Sequence, residues 1–387
     1  MASKDKPYRV YRGGRVRGPV RHEPLVDRRR GDGDPYHYRG PKPARKPRRR
    51  WLKRGVALLI AILVLALVWA ILGYLAFRSG VKDANERLGD RAAGVLAPQR
   101  GMLISNPTTI LVLGADHGGT RQRGGGRSDA IMLVRTDPDE NRIAMLLIPR
   151  DLRVEIPGRG TDKVNAAFAF GGSALAVRTV QSVTGLRVNH VVVVDFATFP
   201  EVIDALGGVT IDVPAPIESN RFECPYATPA RCDRWQGWRF RAGPQTMDGR
   251  RALIYSRIRE NRLDPSESDI TRGGRQQAVM QAIADETVSF GTYLRGPFIA
   301  DDLVKPLATD LSAGQLVQLA WVKFRTPSSG ILRCRLGGTI ADVGGASYII
   351  GSEDNASVIA MVTGKTAPQP PRPGSGPFGP GCAVGRA

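Results

Sequence analysis

Residues 109–148 read TILVLGADHGGTRQRGGGRSDAIMLVRTDPDENRIAMLLI, and three apolar runs within them decide the fold class. Thr109–Ala115, Ala130–Arg135 and Arg142–Ile148 are short and apolar, with β-branched residues among them, and each is bounded by Gly, Pro or polar residues, as buried strands are. Val188–Asp195 is a fourth run of the same kind. Outside them, Ala174–Val183, Phe196–Leu206, Gly274–Val288 and Ser312–Lys323 carry apolar residues at helical spacing. Strands interleaved with helices predict an α/β layered domain, a central sheet with helices on its faces. Ligands in such sheets sit at strand ends, so charged residues on the loops there are the first candidates for function.

Upstream of this domain, Gly55–Phe77 is a run of 23 residues without a charge, Pro, Asn or Gln. A helix needs about 20 residues to cross the hydrocarbon core, so 55–77 is expected to span a membrane. A cleavable signal has a shorter apolar core close to the N-terminus, whereas this run follows 54 residues of tail. That tail holds 19 Lys and Arg against 5 Asp and Glu, which is +14 of the net +20. Residues 1–54 are thus predicted to be a basic, disordered tail, too poor in aliphatic residues to offset the entropy of ordering. Arg39–Arg54 carries nine bases and no acid, while Arg78–Arg91 mixes four bases with three acids. The positive-inside rule then puts the tail in the cytoplasm and everything after Phe77 outside. Binding to anionic lipid headgroups accounts for the tail without a nucleic-acid partner. Residues 78–106 read as a polar stalk, 107–363 as the extracytoplasmic domain, and 364–387 as a disordered Pro/Gly-rich tail.

All four cysteines, Cys224, Cys232, Cys334 and Cys382, fall on the expected outer side, where disulfides persist. Cys224 and Cys232 bracket a Pro-containing loop and could close a short ring, although spacing alone proves no pairing. Zinc needs about four Cys, His or acidic ligands, and no close Cys/His set is present. On the expected outer side there are two histidines, His117 and His190, and no GxSxG elbow, which argues against a hydrolase triad. His190, followed by Val191–Val194, reads as a structural residue at a strand start.

The chemistry is carried by arginines and acids that follow apolar runs. Asp116 and Asp129 flank neighbouring strands, and two carboxylates at one sheet edge suffice for Mg²⁺, which fills its shell with waters and phosphate oxygens. Capping of a turn by each Asp is the plainer alternative. Arg257 and Arg259, two apart, are expected to share one face of an extended segment. Arginine forks bind phosphate through paired hydrogen bonds, so Arg150, Arg153, Arg257, Arg259, Arg272 and Arg275 together suggest a multiply charged anion. Each taken singly could equally be a solvated surface charge. Arg272 and Arg275 open a predicted helix, where bases oppose the dipole unless an anion offsets them. Gly273 and Gly274 would let a substrate approach the backbone.

These motifs, in this order, resemble the LytR-CpsA-Psr family of cell-wall glycopolymer phosphotransferases. The segments that carry the resemblance are ILVLGAD, RSDAIMLVRTDP, LLIPRDLRVEIPG, DKVNAAFAFGG, NHVVVVDFATFPEVIDALGGVTIDVP and GRRALIYSRIRENRLDPSESDITRGGRQQ, which together run from Thr109 to Val288, with a fainter match to Met361. The resemblance implies a mixed sheet between helices, an apolar tunnel for a polyprenyl chain and a charged mouth for its pyrophosphate. It implies that Asp116 and Asp129 are the acids associated with Mg²⁺, with Mn²⁺ as the alternative ion. It places Arg127, Arg150, Arg153, Lys163, Arg257, Arg259, Arg272, Arg275 and Gln276 on the pyrophosphate, with Arg150, Arg257, Arg259 and Asp129 as the catalytic group. The implied reaction transfers a glycopolymer from a polyprenyl-pyrophosphate carrier to peptidoglycan through a phosphodiester.

Two features depart from the family pattern. His117-Gly118-Gly119 intervenes before Arg121, and Glu223–Arg241, with two cysteines and two tryptophans, looks like an inserted lid. A hydrolase on the same lipid would use the same residues, and a membrane regulator or scaffold would need none of them. Asp151 and Asp195 are candidate bases.

Overall fold

The computed structural model describes residues 48–88, 92–115, 128–195, 198–222, 224–265, 269–375 and 378–385. The chain divides into a unit ending at Leu58, of which only the start of one helix is described, and a unit from Leu59 onward that holds the rest.

Seven strands form the main sheet: β1 (Thr108–Ala115), β2 (Ser128–Asp137), β3 (Arg142–Leu147), β6 (His190–Asp195), β11 (Leu307–Thr309), β12 (Ile331–Arg335) and β15 (Gly381–Val384), in the order β11-β6-β1-β2-β3-β12-β15. β1 runs parallel to β6 and β3 parallel to β12, whereas β2, β11 and β15 run against their neighbours, so the sheet is mixed. Register brings Ala115, Ser128 and Asp195 into one row, and pairs Leu147 with Arg335 at the same end of the sheet. The four expected strands are β1, β2, β3 and β6. β1 is buried along nearly its whole length, as a central strand covered on both faces should be.

Side-chain alternation divides the core. Leu111, Leu113, Ile131, Leu133 and Leu146 face one layer with the helices α2 (Ala166–Thr184) and α9 (Asn355–Val362). Val112, Val192 and Val194 face the other, with α3 (Phe199–Ala205), α5 (Gly249–Arg257) and α6 (Asp269–Thr287). α2 starts eight residues before the helical pattern does, because it bends at Gly171 and Gly172 and the bend breaks the spacing. Helices α7 (Phe290–Val304) and α8 (Ala313–Arg325) follow; Ser289 caps α7, and Ser312 with Gln315 forms a capping box on α8. Small pairs complete the domain: β4 (Arg153–Ile156) with β5 (Gly160–Lys163), β7 (Val209–Val213) with β10 (Gly243–Met247), β8 (Ile217–Glu218) with β9 (Arg239–Phe240), and β13 (Gly338–Val343) with β14 (Ala346–Gly351). A short α4 (Pro229–Arg234) lies in the expected lid, which the Cys224–Cys232 disulfide closes.

Three expectations change. The residues read as a stalk begin as a continuation of the apolar helix, α1 (Arg48–Leu88), and Val81, Ala84, Ala92 and Leu103 are buried. Asn85 donates to the carbonyls of Thr309 and Leu311, and Arg87 to those of Val304 and Leu307, so the edge strand β11 has its outward carbonyls satisfied. The C-terminal residues read as disordered supply β15, whose Cys382 stands opposite Cys334 in the register and is disulfide-bonded to it. Finally, Arg257 ends α5 rather than lying in an extended strand, because Asp248 caps that helix by accepting from the Arg251 amide. Of residues 1–54, read as disordered, 48–54 instead open α1, and 1–47 lie outside the described residues.

Candidate diphosphate and lipid site

The site forms at the sheet end where β1, β3, β6 and β12 finish. The peptide after β3, Ile148-Pro149-Arg150-Asp151, passes beneath the first turns of α6. Together they enclose a small pocket of ≈ 20 Å³, lined by Arg150, Asp151, Arg272, Gly273 and Gln276 among others. Gly273 is required there: a Cβ at this position would overlap Leu147 Cδ2, so the glycine lets α6 settle on β3. Contact with protein, and not with substrate, therefore accounts for Gly273.

Arg150 and Lys163 meet on Asp151. Lys163 Nζ donates to Asp151 Oδ1 at 2.8 Å and Arg150 Nε to Oδ2 at 3.2 Å. Burial alone would raise this carboxyl, but the Lys163 hydrogen bond and the Arg150 charge outweigh it and hold the acid below its ordinary range. With a cation on each oxygen, Asp151 is built to position the two bases, which weakens its case as a proton acceptor. Arg153 pairs with Lys163 across β4 and β5 but is exposed. Lys163 also lies over the Tyr348 ring, 5.5 Å from its centroid, which ties the β13–β14 hairpin to this corner.

Arg272 and Arg275 are both buried on α6. Arg275 Nη2 donates to the Ile258 carbonyl at 2.6 Å. Ile258 is itself buried between half-buried Arg257 and exposed Arg259, so this bond brings the two arginine-bearing segments together. Gln277, buried next to Gln276, donates to the carbonyls of Met145 and Cys334 and so fastens α6 across β3 and β12. Of the remaining expected residues, Asp116 and Arg127 lie outside the described residues, and Asp129 is described only as the second residue of β2. The pairing of Ala115 with Ser128 nonetheless sets the backbones that precede Asp116 and Asp129 side by side. Asp195 ends β6 beside Ala115. His190 is structural, as expected: buried at the start of β6, it lies 2.7 Å from Asp310 through Nδ1.

Behind the charged pocket lies an apolar one of ≈ 40 Å³, between the sheet and α6, lined by Val112, Ala130, Met132, Val194, Phe199 and Met280 among others. The two pockets share Leu147 and Gln276 as walls. Its walls Met132 and Met280 pack with Met145 and Ile331, and methionine is the side chain that repacks most readily. The apolar space is therefore a small slot walled by adaptable residues, narrower than the tunnel that the family resemblance implies. Two further wall residues of the charged pocket were missed, Ile349 from β14 and Phe378 from the C-terminal segment. The one sequence signal for the latter was Cys382, four residues on.

The sequence pattern of the LytR_cpsA_psr family matches residues 77–363. The chain belongs to this family. It is 32% identical over 262 residues to the polyisoprenyl-teichoic acid--peptidoglycan teichoic acid transferase TagU of Oceanobacillus iheyensis, covering 66% of this chain and 75% of that one. The crystal structure of B. subtilis TagV superposes with a TM-score of 0.56 at 26% identity, covering 67% of this chain and 97% of TagV. The family protein YwtF (TagT) with bound octaprenyl pyrophosphate lipid superposes with a TM-score of 0.50 at 27% identity, covering 69% and 92% of the two chains. The mixed sheet between helices that the family implies is the fold observed.

Proposed function

We propose that this protein is a membrane-anchored phosphotransferase that moves a glycopolymer from a polyprenyl-pyrophosphate carrier onto peptidoglycan. The observation that carries the reading is the shared wall: an Arg-lined pocket and an apolar slot meet at Leu147 and Gln276, which suits a ligand that is a diphosphate at one end and a hydrocarbon at the other. The names of its relatives, a teichoic acid transferase and a protein that binds octaprenyl pyrophosphate, support it.

In this reading the prenyl chain enters the slot by displacing the methionines. Arg150, Arg272 and Gln276 hold the diphosphate, and Arg257 and Arg259 approach from the segment that Arg275 fixes. An acceptor hydroxyl oxygen bonds to the sugar-side phosphorus while the bond from that phosphorus to the bridging oxygen breaks. Polyprenyl monophosphate leaves, the hydroxyl proton passes to solvent or a base, and the glycan stays on a phosphodiester. Guanidinium groups aimed at the departing phosphate stabilise charge as it develops, which lowers the barrier without a covalent intermediate. Mg²⁺, with Mn²⁺ as alternative, would be held by Asp116 and Asp129 and would neutralise phosphate charge. The side-by-side backbones before these two acids fit such a pair.

α1 supplies the anchor: it is long and apolar enough to cross a membrane. Two disulfides in the domain and the basic N-terminal tail support a cytoplasmic N-terminus and an outer catalytic domain. Lipid-linked donor is incubated with the reconstituted full chain, with and without peptidoglycan. Ligation that depends on peptidoglycan supports transfer, glycan phosphate released equally in both arms would make the protein a hydrolase, and no turnover in either arm would favour a regulator or scaffold.

A further inference from the structure

Helix α8 carries three large apolar side chains that the fold leaves outside. Val317 is 51% exposed, Trp321 51% and Phe324 65%. Their spacing of four and then three residues puts them on one stripe. Trp321 and Phe324 stack at 5.6 Å with their planes 29° apart, so the stripe is an ordered surface. The rest of the helix is used by the fold: Val322 is buried, Leu316 packs inward and Gln318 accepts from the Leu103 amide, while Ala313, one turn before Val317, is buried at the helix start. A helix with an apolar face on each side needs a partner for the outer one.

Two contacts identify the neighbour. Ala313, in the first turn of α8, packs with Val81 of α1 and Val304 of α7, and Tyr74, Leu75 and Arg78 face Ser312, Ala313 and Gly314 across a groove. Arg78 is the first charge after the 23-residue apolar run, and Val81 follows it by less than one turn, about 5 Å of helix. Helix α8 therefore starts at the level where α1 leaves the bilayer. On α7, Phe298 is 75% exposed and its ring packs edge-on against Trp69 with centroids 5.3 Å apart. Trp69 lies inside the apolar run, so this residue of the domain reaches bilayer depth. The charges agree, with Arg78 and Lys82 lining the groove and Arg325 at the end of α8, as beside an anionic headgroup layer.

We propose that Phe298, Val317, Trp321 and Phe324 form a second membrane contact, sunk into the interfacial layer of the leaflet from which α1 emerges. The occupant is the lipid bilayer itself. Lys323 pairs with Asp285 on α6, five residues beyond Met280, so this contact also ties α8 to the helix that walls the apolar slot. The docking claim stands on α1, α7 and α8 alone and does not require the transfer reaction.

The test uses the full chain reconstituted in phosphatidylethanolamine and phosphatidylglycerol vesicles containing acyl-brominated phosphatidylglycerol. The emission of Trp321 is the difference between the wild type and W321F, in which the other tryptophans cancel. The proposal expects this component to be lost to brominated lipid and shielded from aqueous iodide. In F298S/V317S/F324S, checked for fold by circular dichroism, it should become open to iodide and insensitive to bromine. A Trp321 component that iodide quenches in the wild type would overturn the proposal. So would one that neither quencher reaches at high protein density but iodide reaches on dilution with lipid, which would assign the stripe to a second copy of the chain.

Discussion

Arg275 reaches from the second turn of α6 to the carbonyl of Ile258, 2.6 Å away, and so holds the peptide between Arg257 and Arg259 against the helix that carries Arg272. Both ends of the bond are buried, and a charged donor to a buried carbonyl is worth about 2 kcal/mol. Arg275→Ala is expected to lower stability by that amount in urea unfolding and to cut turnover as well, because Arg257 and Arg259 lose their fixed backbone. Full turnover at unchanged stability would separate Arg275 from the site.

Asp151 should report on pH. Its carboxyl is held below the ordinary aspartate value of 3.8, so its ion pairs add stability that is present above 3.8 and lost as the pH falls through the lower folded value. The stability difference between wild type and Asp151→Asn is expected to be constant near neutrality and to close under strong acid. Unfolding curves of both proteins across the acid range measure this, and a gap that widens on acidification would contradict it.

Gly273 and Leu147 are coupled by shape. A methyl group at 273 overlaps Leu147, so Gly273→Ala should cost about 1 to 3 kcal/mol by overpacking. Leu147→Ala removes the obstacle, and the double variant should be more stable than the sum of the single losses predicts. A double-mutant cycle in urea tests the coupling.

The two disulfides should differ in weight. Cys334–Cys382 closes 48 residues and Cys224–Cys232 only 8, which by chain entropy corresponds to about 4 against about 2.5 kcal/mol. Cys334→Ser/Cys382→Ser should therefore show the larger fall in Tm. It should also weaken donor binding, since Phe378 on the freed segment walls the charged pocket.

Metal dependence follows from the proposed pair of acids. Chelation is expected to abolish transfer and Mg²⁺ to restore it, and Asp129→Asn should raise the Mg²⁺ concentration needed for half-maximal rate. Undiminished transfer in chelator would remove the metal from the mechanism.

Strands β1, β2, β3 and β6 were legible because a strand buried on both faces must be apolar throughout, and the sequence shows that directly. The start of α6 was legible as a helix opening that carries Arg272 and Arg275, and the structure buries both there, with Arg275 donating to the Ile258 carbonyl. Three readings failed where the signal was non-local. β15 is four residues long and owes its place to Cys334, far back in the chain. The end of α1 reads as polar because Asn85 and Arg87 serve carbonyls of an edge strand more than two hundred residues away. Arg257 was placed in a strand because α5 has only nine residues and its cap, Asp248, lies outside the motif that drew attention. The Asp151 clamp and the small size of the slot could not be read at all, because each depends on which side chains the sheet brings together.

Helix α1 passes from the apolar run to the edge of the sheet without a break as far as Leu88. Under the proposed anchoring, the unbroken helix in that stretch would keep the enzyme from swinging outward on a leash in search of an acceptor. Its mouth would then stay at a constant height, with encounters coming from sideways diffusion within the plane of the lipid. Polymer attachment would then be confined to glycan strands passing through that thin shell, and lengthening α1 by whole turns should shift which strands are reached.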